Sequence, residues 1–175
     1  FSLFASINLF GQNVSIPDAN FKAYLVGNLA INTNSDTEIQ VDEAQAFTGT
    51  INCASSSISD LTGIEAFTSL TELNCSNNQL TSLNVSSNTQ LTTLNFGSNQ
   101  ISSINLSSNT LLNYLNCDNN LLDALDITST PGLIQLSVFF NYLTSIDLSQ
   151  NSALTHLWCM FNPLTAIDVS QNGSF

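Results

Sequence analysis

From residue 70 onward the apolar positions recur in one fixed order, L-x-x-L-x-Φ-x-x-N-x-Φ-x-x-Φ-x-Φ-x-x-N-x-x, with Φ apolar. Copies begin at Leu70, Leu91, Leu112, Leu133 and Leu154, so the period is 21 residues and nothing is inserted or lost between copies. A fixed period of this length marks a solenoid, whose units bury their apolar faces only against their neighbours. Alternation in Leu73-x-Cys75 turns two side chains inward around one that points out, the pattern of a short strand with one buried face. Stacked at ~4.8 Å, five such strands make a parallel sheet spanning roughly 25 Å of axis. The predicted class is a β-rich solenoid of stacked parallel short strands.

Two asparagine columns accompany the apolar ones. The first holds Asn78, Asn99, Asn120, Asn141 and Asn162; the second holds Asn88, Asn109, Asn151 and Asn172, with Thr130 as the exception. An inward amide between coils can bond backbone groups left free at a turn, so its burial is compensated. A looser first coil sets Ile51, Cys53, Ile58 and Leu61 where Leu73, Cys75, Leu80 and Leu83 follow, with Ser56 in place of the first asparagine.

The stretch Leu70-Thr71-Glu72-Leu73-Asn74-Cys75-Ser76-Asn77-Asn78-Gln79-Leu80 resembles the core motif of the leucine-rich repeat family, and the likeness covers about residues 50 to 175. The second half of each copy, such as Leu83-Asn84-Val85-Ser86-Ser87-Asn88, nearly repeats the first, which is similar to the nested 21-residue class of secreted bacterial repeats. This resemblance implies coils with strands on both faces, and a role in binding, adhesion or partner recognition. Ser, Thr and Asn at the non-core positions disfavour helices in the repeats.

The pattern divides the chain into residues 1–12, a helical cap at 13–50 and the solenoid at 51–175. Residues 1–12 are apolar, uncharged and shorter than the ~20 residues of a spanning helix, so they read as a signal-peptide remnant. The solenoid stops directly after a good repeat, and further repeats or a sorting domain are expected beyond it. In the cap, Pro17 and Asp18 open a helix with Phe21, Leu25 and Leu29 as its apolar stripe. Next, residues 32–43 resemble an EF-hand loop, which implies a calcium ion held by Asn32, Asn34, Asp36, Glu38 and Glu43. Asn at the first position and Thr37 at the sixth, normally Gly, depart from that pattern, and a loop held by hydrogen bonds alone is the alternative.

Charge narrows the partners. Thirteen acidic side chains face one basic one, Lys22, for a formal net charge of −12. Without clustered Lys and Arg there is no nucleic-acid surface, and an anionic membrane repels the chain. Charged residues are only 8% of the chain, so Asn, Ser and Thr supply most of the surface polarity. The protein is expected to be secreted or at a cell surface.

Cys75, Cys117 and Cys159 recur every 42 residues in one inward column. Two coils apart is roughly 9.6 Å, beyond the ~7 Å that a disulfide spans. Phe96 and Val138 alternate with them, so the column calls for apolar fillers; only Cys53 and Cys75, one coil apart, are near enough to pair.

The outward positions change character along the array. Successive coils read Glu72, Thr93, Tyr114, Gln135, His156; then Asn74, Asn95, Asn116, Ser137, Trp158; then Ser76, Gly97, Asp118, Phe139, Met160. One place further on, Phe140 and Phe161 replace Asn77, Ser98 and Asn119. The polar start gives way to an aromatic face, and Tyr114, Asp118, Gln135, Phe139, Phe140, His156, Trp158, Met160 and Phe161 are the candidate ligand-binding residues. Such a face suits a protein or peptide partner. A glycan suits it as well, with Trp158 or Tyr114 stacking and Gln135 or Asp118 bonding hydroxyls; packing against further sequence of a larger surface protein is the third reading. The single histidine, His156, has no Ser, Cys or paired carboxylate converging on it in the pattern, so a non-enzymatic module is expected.

Overall fold

The computed structural model describes residues 11–173, so most of the segment read as a signal-peptide remnant lies outside the described residues. Six strands, β1 (Thr50–Asn52), β2 (Glu72–Asn74), β3 (Thr93–Asn95), β4 (Tyr114–Asn116), β5 (Gln135–Ser137) and β6 (His156–Trp158), form one parallel sheet in sequence order. The register follows the repeat: Glu72, Thr93, Tyr114, Gln135 and His156 lie side by side. Ile51, Leu73, Leu94, Leu115 and Leu136, the middle residues of β1 to β5, are fully buried, and Leu157 of β6 is partly buried. A β-rich solenoid of stacked parallel strands is therefore what the pattern builds.

Strands on both faces of the coil are not seen among the described residues. In the second half of each copy a side chain captures the amide two residues on: Ser86 N–H donates to Asn84, Ser107 to Asn105, Thr128 to Asp126, Ser149 to Asp147 and Ser170 to Asp168. These local bonds divert backbone donors from the neighbouring coil and set turns in place of a second sheet.

The first asparagine column clamps consecutive coils. Asn120 Nδ2 donates to Phe96 O in the preceding coil at 3.1 Å and to Cys117 O in its own at 3.2 Å, while its Oδ1 accepts Ile101 N–H at 3.0 Å. Asn78, Asn99, Asn141 and Asn162 repeat this arrangement. In the second column Asn88, Asn109, Asn151 and Asn172 each give both amide hydrogens to carbonyls one coil earlier. Thr130 donates only to Ile127 O in its own coil, because a hydroxyl is too short to reach across.

All four cysteines are free, with Cys53, Cys75 and Cys117 buried and Cys159 partly so. They fill the core as small apolar groups, and the Cys53–Cys75 bond is not formed.

Two short helices, α1 (Ala19–Val26) and α2 (Val41–Ala46), precede the sheet. Asp18 caps α1 by accepting Asn20 and Phe21 N–H, and its other oxygen accepts Ser59 N–H and hydroxyl, so one carboxylate ties the helix to the first coil. Asn52 N–H, on the outer edge of β1, donates to the Tyr24 hydroxyl at 2.9 Å, which covers part of an edge left open to pairing. Phe21 and Leu25 are buried as expected, but Leu29 is 73% exposed. The helix stops at Gly27, and Leu29 falls outside the stripe; Ile31 and Ile39 from the following loop fill the core instead.

Candidate functional site

The sheet register fixes the outward face. Tyr114, Gln135 and His156 form one row across β4, β5 and β6, and Asn116, Ser137 and Trp158 form the next. Between these rows the side chains of Tyr114, Asn116, Asp118, Gln135, Ser137 and Trp158 line a shallow cavity of about 310 Å³. Two aromatic residues two strands apart wall it, and Gln135 and Ser137 of the intervening strand lie between them.

Asp118 is fixed in this cavity. Its Oδ1 accepts the Ser137 hydroxyl at 2.6 Å and Phe139 N–H at 2.7 Å, and its Oδ2 accepts Asn116 Nδ2 at 3.2 Å. In return Asp118 N–H donates to Asn116 Oδ1 at 2.9 Å. Trp158 is braced from one side by His156, whose ring stacks on it at 5.6 Å and 20°. His156 Nδ1 shares a 2.8 Å hydrogen bond with the Thr155 hydroxyl.

A second aromatic group sits just past the strand ends. Phe139, Phe140 and Phe161 pack together, Phe139 edge-on to both others and Phe140 stacked on Phe161 at 4.3 Å. Phe140 and Phe161 hold left-handed backbone, φ 51° and 56°, at the turn where Asn77, Ser98 and Asn119 adopt the same conformation. Asn and Ser suit that conformation, whereas a bulky residue there is uncommon. Phe161 is 63% exposed, Met160 60% and Trp158 40%.

The sequence-predicted residues thus separate into the cavity, with Tyr114, Asp118, Gln135 and Trp158, and the phenylalanine group, with Phe139, Phe140 and Phe161. Met160 lies exposed in the same coil as Trp158 and Phe161. Asn116 and Ser137, which stand in the outward row of Trp158 but are not among the candidate ligand-binding residues, also line the cavity. Their neighbours in the two rows, Tyr114 and Trp158, were the available signal.

In the cap, the predicted calcium ligands are engaged with the protein. Glu43 Oε1 accepts Thr33 N–H, Thr33 hydroxyl and Asn34 N–H at 2.7, 2.9 and 3.2 Å, and its Oε2 accepts Gln40 N–H at 3.1 Å. Asn34 and Asp36 each accept the amide two residues on, and Glu38 pairs with Lys22 at 2.6 Å. Asn32 turns its Nδ2 to Val26 O and Asp36 O, and its buried Oδ1 is without a protein partner. Among the described residues no group of three or more His, Cys, Asp or Glu side chains is placed to hold a metal. As arranged, the Glu43 carboxylate closes the loop through the hydrogen bonds it accepts from Thr33, Asn34 and Gln40. A larger cavity of about 670 Å³ beside it is lined by Thr33, Asp42, Glu43 and Phe47. No described helix is long and apolar enough to cross a membrane.

Comparison with known proteins agrees with this architecture, although no family model matches the chain. Internalin J of Listeria monocytogenes serotype 4b (strain F2365) is 37% identical over 73 residues, which is 42% of this chain and 8% of that protein. A solved functional domain of internalin J from Listeria monocytogenes, described as including a cysteine ladder, superimposes with a TM-score of 0.80 at 36% identity, covering 94% of this chain and 42% of that one. An internalin of type F from the same species shares the fold, with a TM-score of 0.79 at 23% identity over 97% of this chain and 51% of that one. The chain thus spans about half or less of the length of these relatives.

Proposed function

Because the chain belongs to the leucine-rich repeat family, we propose that it is a non-enzymatic module of a secreted or surface protein that binds a protein or peptide on its outward strand face. The observation that carries this reading is the gathering of Tyr114, Trp158, Met160 and the Phe139–Phe140–Phe161 group on the last three coils, where the earlier coils are polar. Stacked rings on a rigid sheet are ordered before binding, so they add apolar contact area at little entropic cost. Exposed aromatic and Met clusters of this kind mark interaction surfaces.

A carbohydrate is the second reading, favoured by one feature: the cavity sets two aromatic walls beside the Gln135 and Asn116 amides. A screen of the full chain on protein and glycan arrays, alongside Trp158→Ala and Phe161→Ala variants, separates the two. Protein ligands lost in either variant support the proposal, and glycan ligands alone would replace it. Self-association of the wild type that Trp158→Ala abolishes would mean that the face packs against more of its own chain.

A further inference from the structure

We propose that the cavity between Tyr114 and Trp158 receives a cationic side chain, an arginine of the protein partner, sandwiched by the two rings and paired with Asp118. This deepens the reading of the face as a protein-binding surface and rests on it.

The first argument is spacing. Tyr114 and Trp158 stand on strands separated by β5 and two residues apart along the rows, so about 10–12 Å separates their backbones at ~4.8 Å per strand and ~3.3 Å per residue. A group midway lies about 5–6 Å from each backbone position, between the two aromatic residues that line the cavity, and cation–π attraction acts within ~6 Å of a ring. Ser137 on the intervening strand is short and buried, and its hydroxyl is turned to Asp118.

The second argument is charge. Asp118 Oδ1 already accepts two hydrogen bonds, but Oδ2 accepts only one, from Asn116, and a carboxylate oxygen takes about two. No cation of this chain serves it: the sole Lys or Arg is Lys22, bonded to Glu38 in the cap. A neutral or apolar ligand covering the cavity would strip water from Asp118 without returning a counter-charge, which is unfavourable. An anionic ligand would meet both that carboxylate and a net charge of −12. Guanidinium answers both needs at once. Its plane stacks on aromatic faces, its N–H groups bond carboxylates, and it is weakly hydrated compared with ammonium.

Trp158 is the only tryptophan, so the cavity carries its own probe. The full chain is titrated with a capped (Gly-Arg)3 peptide, its isosteric citrulline counterpart and a (Gly-Glu)3 peptide, following Trp158 fluorescence and calorimetry. The arginine peptide is expected to bind at least about tenfold tighter than the citrulline peptide, and to weaken by a similar factor in Tyr114→Leu, in Asp118→Asn and on raising salt from about 50 to 300 mM. Thermal unfolding of each variant shows whether it stays folded. Equal binding of the arginine and citrulline peptides would overturn the proposal, as would arginine binding indifferent to both substitutions. If no peptide perturbs Trp158 while an array ligand still requires it, the cation site falls and the binding face stands. If no peptide perturbs Trp158 and no array ligand needs Trp158 or Phe161, both readings fall.

Discussion

The rings of Phe140 and Phe161 lie parallel, 7° apart at 4.3 Å, and both residues hold left-handed backbone at the equivalent turn of successive coils. The repeat places Asn77, Ser98 and Asn119 at that turn in earlier coils, so the phenylalanines stand against local preference. A left-handed residue with a bulky side chain costs on the order of 1–2 kcal/mol relative to the ordinary helical region, and strain of this kind tends to collect at functional sites. Because Phe161 is largely exposed, little burial offsets that cost.

Phe161→Asn is therefore expected to leave the melting temperature unchanged or raise it by about 2–4 °C, corresponding to up to ~1 kcal/mol in a chain of this size, while ligand capture by the face falls. Calorimetry beside array binding tests both halves. A loss of several degrees would show that the stacked pair is a structural element and not a displayed one.

Thr130 is the gap in the second asparagine column, where its hydroxyl bonds within its own coil while its counterparts reach one coil back. Thr130→Asn is expected to restore the two cross-coil bonds and stabilise by about 0.5–1.5 kcal/mol, raising the melting temperature by about 2–5 °C. The complementary change, Asn120→Ala, removes a fully used buried amide and is expected to cost about 1–3 kcal/mol. Urea unfolding of both variants decides. An unchanged midpoint for Asn120→Ala would mean that water replaces the clamp.

The repeat made the solenoid legible because each coil solves the same burial problem, so Leu73, Leu94, Leu115 and Leu136 needed no knowledge of distant contacts to be placed. The asparagine columns were legible for the same reason: a polar residue recurring in an apolar register must bond the backbone. Non-repeating parts were harder. Leu29 fits a helical stripe by spacing, yet the helix ends at Val26, three residues before it. Residues 32–43 offer EF-hand residue types, but residue types do not show that Glu43 is occupied by amides. On the face, composition announced the rings, while the division into a cavity and a phenylalanine group depends on the left-handed turn that carries Phe140 and Phe161 off the strand.

The cysteines predict a graded thiol reactivity. Burial pushes the Cys53 thiol up to about 12, and burial, followed by the charge of the neighbouring Asp118, raises Cys117 further; burial also raises Cys75 and, less strongly enclosed, Cys159. Only thiolate reacts with disulfide reagents. With Ellman's reagent at pH 8, Cys159 is expected to react first and the other three only on unfolding, so one equivalent appears early and three more in denaturant. Rapid modification of two or more thiols in the folded protein would show that the core opens locally near the cysteine column.

Glu43 predicts an acid limit to the cap. Burial raises its carboxyl, but hydrogen bonds from Gln40, Asn34 and Thr33 outweigh this and hold it below its ordinary value of 4.5. A carboxyl depressed in the fold is protonated more readily in the unfolded chain. Its stabilisation is thus complete above the unfolded value and is lost as pH falls through the folded one. Stability should be flat from about pH 7 to 5 and fall below about 4.5. Asp18, held low in the same way once its own burial is outweighed by the bonds from Phe21, Ser59 and Asn20, contributes in the same window, so Glu43→Gln isolates the loop. That variant is expected to lose about 1–3 kcal/mol at pH 7 and to show a shallower acid transition than the wild type. Because the carboxylate already closes the loop, chelator and millimolar calcium should leave the wild-type melting temperature unchanged. A calcium-induced rise of several degrees, absent in Glu43→Gln, would show instead that the ion displaces the amides from Glu43 and takes their place.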